Sequence, residues 1–195
     1  MIQRGISGSR HELSYQQLND RVNQFANGLR ELGVGRDDIV VVSSGNRAEF
    51  LVAYYGTLRC GATFAAAPPS LTPREAEVLA SATNPKVVLA EDWSNEGIKA
   101  LGSAADIRLA FTNDATTSSC GIQTIEETSS IGAESGPQID ISETDPALIV
   151  FTSGTEDLPK AVVIPHRNFM IATTPSWVID RYVLASDIFL LLAPI

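Results

Sequence analysis

The stretch IVVVSSGNRAEFLVAYYGTLRCGATFAAAPP, residues 39–69, decides the fold. Ile39–Val42 is an unbroken run of β-branched apolar residues, as expected of a strand buried on both faces. Asn46 with Glu49 predicts a capped helix start, and the helix should run to about Arg59 with Gly61 as its stop. Ala62–Ala67 reads as a second strand that ends at Pro68 and Pro69, which have no N–H to offer a ladder. Strand, helix and strand in succession imply parallel pairing through a right-handed crossover.

The same alternation continues on both sides. Upstream, Leu18, Val22, Phe25, Ala26, Leu29 and Leu32 fall on one face at helical spacing, with a Ser14–Gln17 capping box before them and Gly33 behind. Downstream, Thr72, Pro73 and Glu75 signal a helix to about Ser81. Lys86–Ala90 is a strand, about Asn95–Ala104 a weaker helix, and Ile107–Phe111 a strand. The predicted class is α/β, a largely parallel, doubly wound sheet flanked by helices, with residues 1–111 as a first α/β unit.

Residues 112–145 change character. Ser, Thr, Gly and acidic residues dominate, Ile122, Ile125 and Ile131 are the packable positions, and a surface excursion with one short strand is expected. Residues 146–195 resume order. Ala147–Gly154 is a strand running into a loop, Val162–Pro165 a strand, Arg167–Leu184 a helix and Asp187–Ile195 a last buried strand. A doubly wound sheet seldom stops there, so the 195 residues are expected to be an incomplete N-terminal domain.

Composition narrows the function. With 44% hydrophobic and 19% charged residues, a packed fold is expected. A net charge of -9 argues against nucleic-acid or membrane-surface partners, because it repels phosphate backbones and anionic lipid. The two cysteines, Cys60 and Cys120, stand apart and read as free thiols in a reducing compartment. Two histidines, His11 and His166, with no His/Cys cluster make a structural zinc site unexpected. No signal-like or membrane-spanning apolar run is visible, so a cytoplasmic location is expected.

The chemistry lies in FTSGTEDLPKAV, Phe151–Val162. Hydroxyls at Thr152, Ser153 and Thr155, a glycine at Gly154 and the cation of Lys160 follow directly on a buried strand. Such a turn can surround phosphate oxygens with N–H and O–H groups while the lysine offsets charge. Its spacing fits neither the GxxxxGK[ST] phosphate loop nor a dinucleotide fingerprint.

The segment resembles the phosphate-loop signature [YF]TSGTTGxPKGV of the adenylate-forming, AMP-binding superfamily, which includes acyl-CoA synthetases, aryl-acid ligases, luciferases and peptide-synthetase adenylation domains. Phe151, Thr152, Ser153, Gly154, Thr155, Pro159, Lys160 and Val162 match it as they stand. Residues 13–42 and 46–80 resemble the family's opening blocks, and FLLLAPI resembles the strand that leads to its aromatic, histidine-bearing motif. The blocks look most like acyl-CoA synthetases, which suggests fatty-acid metabolism. The resemblance implies that a carboxylate attacks the α-phosphate of Mg-ATP, and that a thiol, commonly coenzyme A, then displaces AMP. It implies that Thr152, Ser153, Gly154, Thr155, Glu156 and Lys160 bind the ATP phosphates. No catalytic residue and no metal ligand is assigned in this chain, because the family's other motifs, including its catalytic lysine, are not in it.

Three positions depart from the commonest pattern: Glu156, Asp157 and Ala161. A carboxylate about 5 Å from a phosphate charge costs about 3 kcal/mol at an effective dielectric near 20. A magnesium ion between them would reverse the sign, so Asp157 and Glu156 read as weakening ATP or as seating its metal. His166 reads as a structural residue; Trp177, Tyr182 and Phe169 as core or interface; Arg47 and Glu49 as capping and surface pairing; Tyr54 and Tyr55 as core.

Two functions follow. One is the front part of a carboxylate-activating ligase, inactive alone, so that carboxylic acids and Mg-ATP give no pyrophosphate. The other is a non-enzymatic remnant or nucleotide-binding module. Apolar surface left uncovered by an early stop would also favour self-association.

Overall fold

The computed structural model describes residues 2–4, 10–112, 117, 121–152 and 159–168. A two-stranded antiparallel hairpin, β1 (Ile2–Arg4) and β2 (Arg10–Glu12), precedes helix α1 (Tyr15–Glu31). The main sheet then alternates with helices: β3 (Ile39–Ser43), α2 (Ala48–Arg59), β4 (Thr63–Ala66), α3 (Pro73–Thr83), β5 (Val87–Ala90), α4 (Glu96–Ser103) and β6 (Ile107–Ala110). There follow β7 (Gln123–Thr124), α5 (Ile125–Ser130), β8 (Pro146–Thr152) and β9 (Lys160–Pro165).

Seven strands form one sheet in the order β7-β6-β5-β3-β4-β8-β9. Every pair from β7 to β8 is parallel, and β8–β9 is antiparallel. The chain moves one way from β3 to β4 and the other way from β4 back across β3 to β5. Right-handed crossovers in opposite directions must lie on opposite faces of the sheet. Accordingly α1 packs with α2 and α5, whereas α3 packs with α4. The sheet is doubly wound, as the alternation predicts.

Consecutive residues of β3 supply both cores. Val40 and Val42 join Phe25, Leu29, Phe50 and Phe64 under α1 and α2, while Val41 joins Leu71, Leu79, Trp93 and Leu101 under α3 and α4. All three valines are completely buried. Each contributes roughly 1.5–3 kcal/mol relative to an exposed position, which is why the run is apolar without alternation.

Local signals hold at most helix ends. The Ser14 hydroxyl accepts from Gln17 N–H at 3.1 Å and the Gln17 side chain accepts from Ser14 N–H at 2.8 Å. Thr72 and Glu75 make the same reciprocal pair. Gly33 and Gly61 follow α1 and α2 at φ +80° and +85°, the left-handed region that glycine enters at no steric cost.

The structure corrects several expectations. Helix α2 starts on Arg47, not on an Asn46–Glu49 box, because Glu49 turns its carboxylate to the Arg47 guanidinium at 3.0 Å. Within 112–145 the short strand is β7, but α5 was not foreseen. IEETSS lacks helical apolar periodicity, and the helix stands on a Thr124–Glu127 capping box and close contact with α1. A Cβ at Gly28 would fall 2.0 Å from the Thr128 carbonyl oxygen, so the two backbones nearly touch. Ile125 is buried, but Ile131 is 52% exposed. Tyr55 is 48% exposed and is no core residue. Lys160 and Ala161 belong to β9, which therefore starts before Val162.

Residues 166–168 are helical; the remainder of the expected 167–184 helix, the 187–195 strand, Phe169, Trp177, Tyr182 and Cys120 lie outside the described residues. Among those described, no helix is long and apolar enough to cross a membrane.

Candidate phosphate-binding hairpin and adjoining cavity

Thr152 ends β8 and Lys160 opens β9, and the two are direct partners in the antiparallel register. The Thr152 hydroxyl lies 3.5 Å from the Lys160 carbonyl oxygen, a long contact that leaves it able to donate elsewhere. Both residues are exposed. One threonine and one lysine thus stand paired where the two strands flank the hydroxyl-rich segment. Ser153, Gly154, Thr155, Glu156 and Asp157 lie outside the described residues. β8 runs parallel to β4, so Thr152 stands at the carboxyl end of the parallel strands, where open α/β sheets bind ligands.

The position of this end follows from how β4 and β8 part. They pair at Phe64–Leu148 and Ala65–Ile149. Beyond that point β4 stops at Ala66 and the chain turns at Pro68 into α3, whereas β8 continues to Thr152. The strands fork, and a cavity of about 630 Å³ fills the fork. Phe50, Tyr54 and Phe64 line it from the α2 side, and Leu71, Leu79 and Phe151 from the α3 side. Thr152 and Pro159 form part of its wall. Tyr54 packs edge-on against Phe64 at 4.9 Å and Tyr55 at 5.0 Å. Burial, helped by Tyr55, pushes the Tyr54 phenol up from its ordinary value.

Among the described residues, Glu75 is the charged residue of the lining. Its carboxylate accepts from the Thr72 backbone N–H at 2.9 Å and from the Thr72 hydroxyl at 2.7 Å, which holds its pKa below the usual range. Glu75 therefore stays anionic at neutral pH.

A second cluster lies at the carboxyl ends of β3 and β5. Arg47 contacts Glu49 at 3.0 Å and Glu91 at 3.3 Å, with its guanidinium 4.9 Å from the Phe111 ring centre. Burial alone would raise the Glu49 pKa, but the Arg47 hydrogen bond and charge outweigh it and the net direction is down. Two carboxylates on one guanidinium leave no positive charge to attract an anion, so the cluster fixes the start of α2. The His166 backbone N–H donates to the Asp145 carbonyl at 3.1 Å, and Arg36 holds the Asp145 carboxylate at 2.7 Å. Among the described residues no group of three or more His, Cys, Asp or Glu could hold a metal ion.

Sequence reading brings Thr152 and Lys160 to one place but not the cavity beside them. Phe50, Leu71 and Leu79 look like ordinary core positions in sequence, and only the fork leaves them facing a void.

A family model described as AMP-binding enzyme matches residues 2–195, nearly the whole chain. The chain belongs to the AMP-binding enzyme family. This AMP-binding chain is 27% identical over 195 residues to a long-chain-fatty-acid–CoA ligase of Thermus thermophilus, covering 100% of the chain and 36% of the ligase. It is 26% identical over 157 residues to 4-coumarate–CoA ligase 3 of Oryza sativa subsp. japonica, covering 80% of the chain and 28% of that protein. Its fold is that of ATP-bound MatB from Rhodopseudomonas palustris, with TM-score 0.72 and 24% identity over 92% of the chain and 34% of MatB. The chain thus spans about a third of the length of these proteins.

Proposed function

We propose that this chain contributes the phosphate-gripping part of a carboxylate-activating ligase that uses ATP and then coenzyme A. A carboxylate oxygen bonds to the α-phosphorus as the bond from that phosphorus to the departing pyrophosphate breaks. The coenzyme A sulfur then bonds to the acyl carbon as AMP leaves. The observation that carries the reading is the in-register pairing of Thr152 with Lys160 around the hydroxyl-rich connection, at the carboxyl end of the parallel sheet.

Lys160 supplies a compact cation beside the β- and γ-phosphates. Thr152, with Ser153 and Thr155, donates hydroxyls to their oxygens, and Gly154 lets the backbone come close. Glu156 is assigned to the same phosphate-binding set, where its charge either weakens ATP or seats its magnesium ion. In this reading residues 1–111 form the first α/β unit, 112–145 bridge across the sheet, and 146–195 carry the phosphate loop and the beginning of the next unit. Two kinds of relative that are CoA ligases by name support the transfer to coenzyme A. A cytoplasmic location fits such a reaction.

Titration calorimetry with Mg-ATP tests the role of Lys160. Loss of one charge-assisted contact, roughly 1.5–3 kcal/mol, should weaken binding about 10- to 100-fold in Lys160→Ala. Equal affinity in wild type and Lys160→Ala would remove the basis of the assignment.

A further inference from the structure

We infer that Arg36 is a positioning residue: by anchoring the root of the β8–β9 pair through Asp145, it sets where Thr152 and Lys160 stand. The inference rests on the phosphate-gripping reading and adds to it a residue from the opposite end of the sheet.

The β8–β9 pair is lightly tied to the rest of the sheet. Among the described residues β9 pairs with β8 alone, and β8 meets β4 at two register pairs, Phe64–Leu148 and Ala65–Ile149. At the root, Pro146 stands opposite Pro165, and neither proline nitrogen has a hydrogen for a ladder bond. The Thr63 hydroxyl reaches the Pro146 carbonyl only at 3.4 Å. Slippage of β8 along β4 by one residue would carry Thr152 and Lys160 about 3.3 Å and turn their side chains to the opposite face. A hydrogen bond to a phosphate oxygen holds over a span of only about 0.5 Å.

The bonds that replace the missing ladder converge on Asp145. Its carbonyl accepts from the His166 N–H at 3.1 Å, and the Glu143 carbonyl accepts from the Arg167 N–H at 2.8 Å, so the turn before β8 holds the end of β9. The Asp145 carboxylate accepts from the Ser142 N–H at 2.9 Å and pairs with Arg36 at 2.7 Å. Arg36 also donates to the Asp140 carbonyl. The base on which Arg36 sits is itself fixed to β4. The Gly35 N–H donates to the Asp38 carboxylate at 2.9 Å, and the Asp38 carbonyl accepts from the N–H of Thr63, the first residue of β4, at 2.9 Å. Arg36 therefore holds the root of β8 and β9 in the frame of β4, where two register pairs alone would let it shift.

Calorimetric titration of Mg-ATP into the 195-residue chain, with hydrogen exchange of the Leu148–Thr152 amides, provides the test. Arg36→Ala should weaken ATP about fivefold and speed that exchange about fivefold, the factor equivalent to roughly 1 kcal/mol for one surface ion pair. Arg36→Lys, which keeps a cation for Asp145, should recover most of both losses. Lys86→Ala breaks an ion pair with Asp106 at 3.1 Å, away from β8 and β9, and should leave both readouts at wild-type values. In a chain already carrying Lys160→Ala, Arg36→Ala should weaken ATP by less than about twofold more, because it acts by placing that lysine.

Exchange unchanged by Arg36→Ala, ATP affinity unchanged by it, or an undiminished effect beside Lys160→Ala each overturns the inference while the Lys160 assignment stands. If wild type binds no Mg-ATP, the activating reading falls and the role of Arg36 falls with it, even where exchange responds.

Discussion

Replacing Gly97 by alanine sets two opposed effects against each other. Gly97 lies in the first turn of α4, where alanine's helix propensity gains at most about 1 kcal/mol over glycine. The tertiary structure opposes the change. A Cβ at Gly97 would stand 2.1 Å from the Leu71 carbonyl oxygen, 2.6 Å from its carbon and 2.8 Å from the Thr72 carbonyl carbon. Ordinary contact begins at 3.4 Å, so backbone must move by roughly 1.3 Å. The atoms in the way are main chain, not the end of a flexible side chain, and Thr72 caps α3. Forced overpacking costs about 1–3 kcal/mol, and disturbing the cap adds about 1 kcal/mol. The net expectation is a loss of about 2 kcal/mol. With a urea m-value of about 2 kcal/mol/M, the unfolding midpoint should fall by about 1 M. Circular dichroism at 222 nm against urea reads this directly. A midpoint equal to or above that of wild type would show that the α3–α4 packing is not as described.

Trp93→Phe removes the indole N–H that donates to the Leu109 carbonyl at 3.0 Å and part of a ring packed on Gly102. A loss of about 2 kcal/mol is expected, read as a melting temperature lower by about 4–8 °C; an unchanged melting temperature would refute it. Burial pushes the Cys60 thiol up from 9.0 to about 11. A raised folded-state value means that its contribution is complete below pH 9 and is lost as pH rises towards 11. Wild type should therefore lose about 2–3 kcal/mol more than Cys60→Ala over that interval, and parallel stability–pH curves for the two would contradict the assignment.

Much of this molecule was legible from short windows of sequence. Ile39–Val42 and Lys86–Ala90 announced interior strands because a strand covered on both faces has no polar side to show. Ser14–Gln17 and Thr72–Glu75 announced helix starts because a capping box closes within four residues. The hydroxyls and the glycine before Lys160 stand out in the sequence because they are neighbours in the chain.

What stayed hidden depends on contacts between distant residues. α5 carries no apolar stripe of its own and stands on a backbone approach to Gly28 from Thr128. Arg47 beside Asn46 and Glu49 looked like a capping region, yet it also reaches Glu91 and Phe111, which directly follow β5 and β6. Tyr55 looked apolar enough for the core and lies instead on the cavity wall. Sequence determined the alternating elements and most of their ends, since propensity, period and capping act over a few residues. Only tertiary structure decided that β8 pairs with β4, that the two part after Ile149 and that a cavity opens beside Thr152, because those outcomes are set by which surfaces meet across eighty residues of chain.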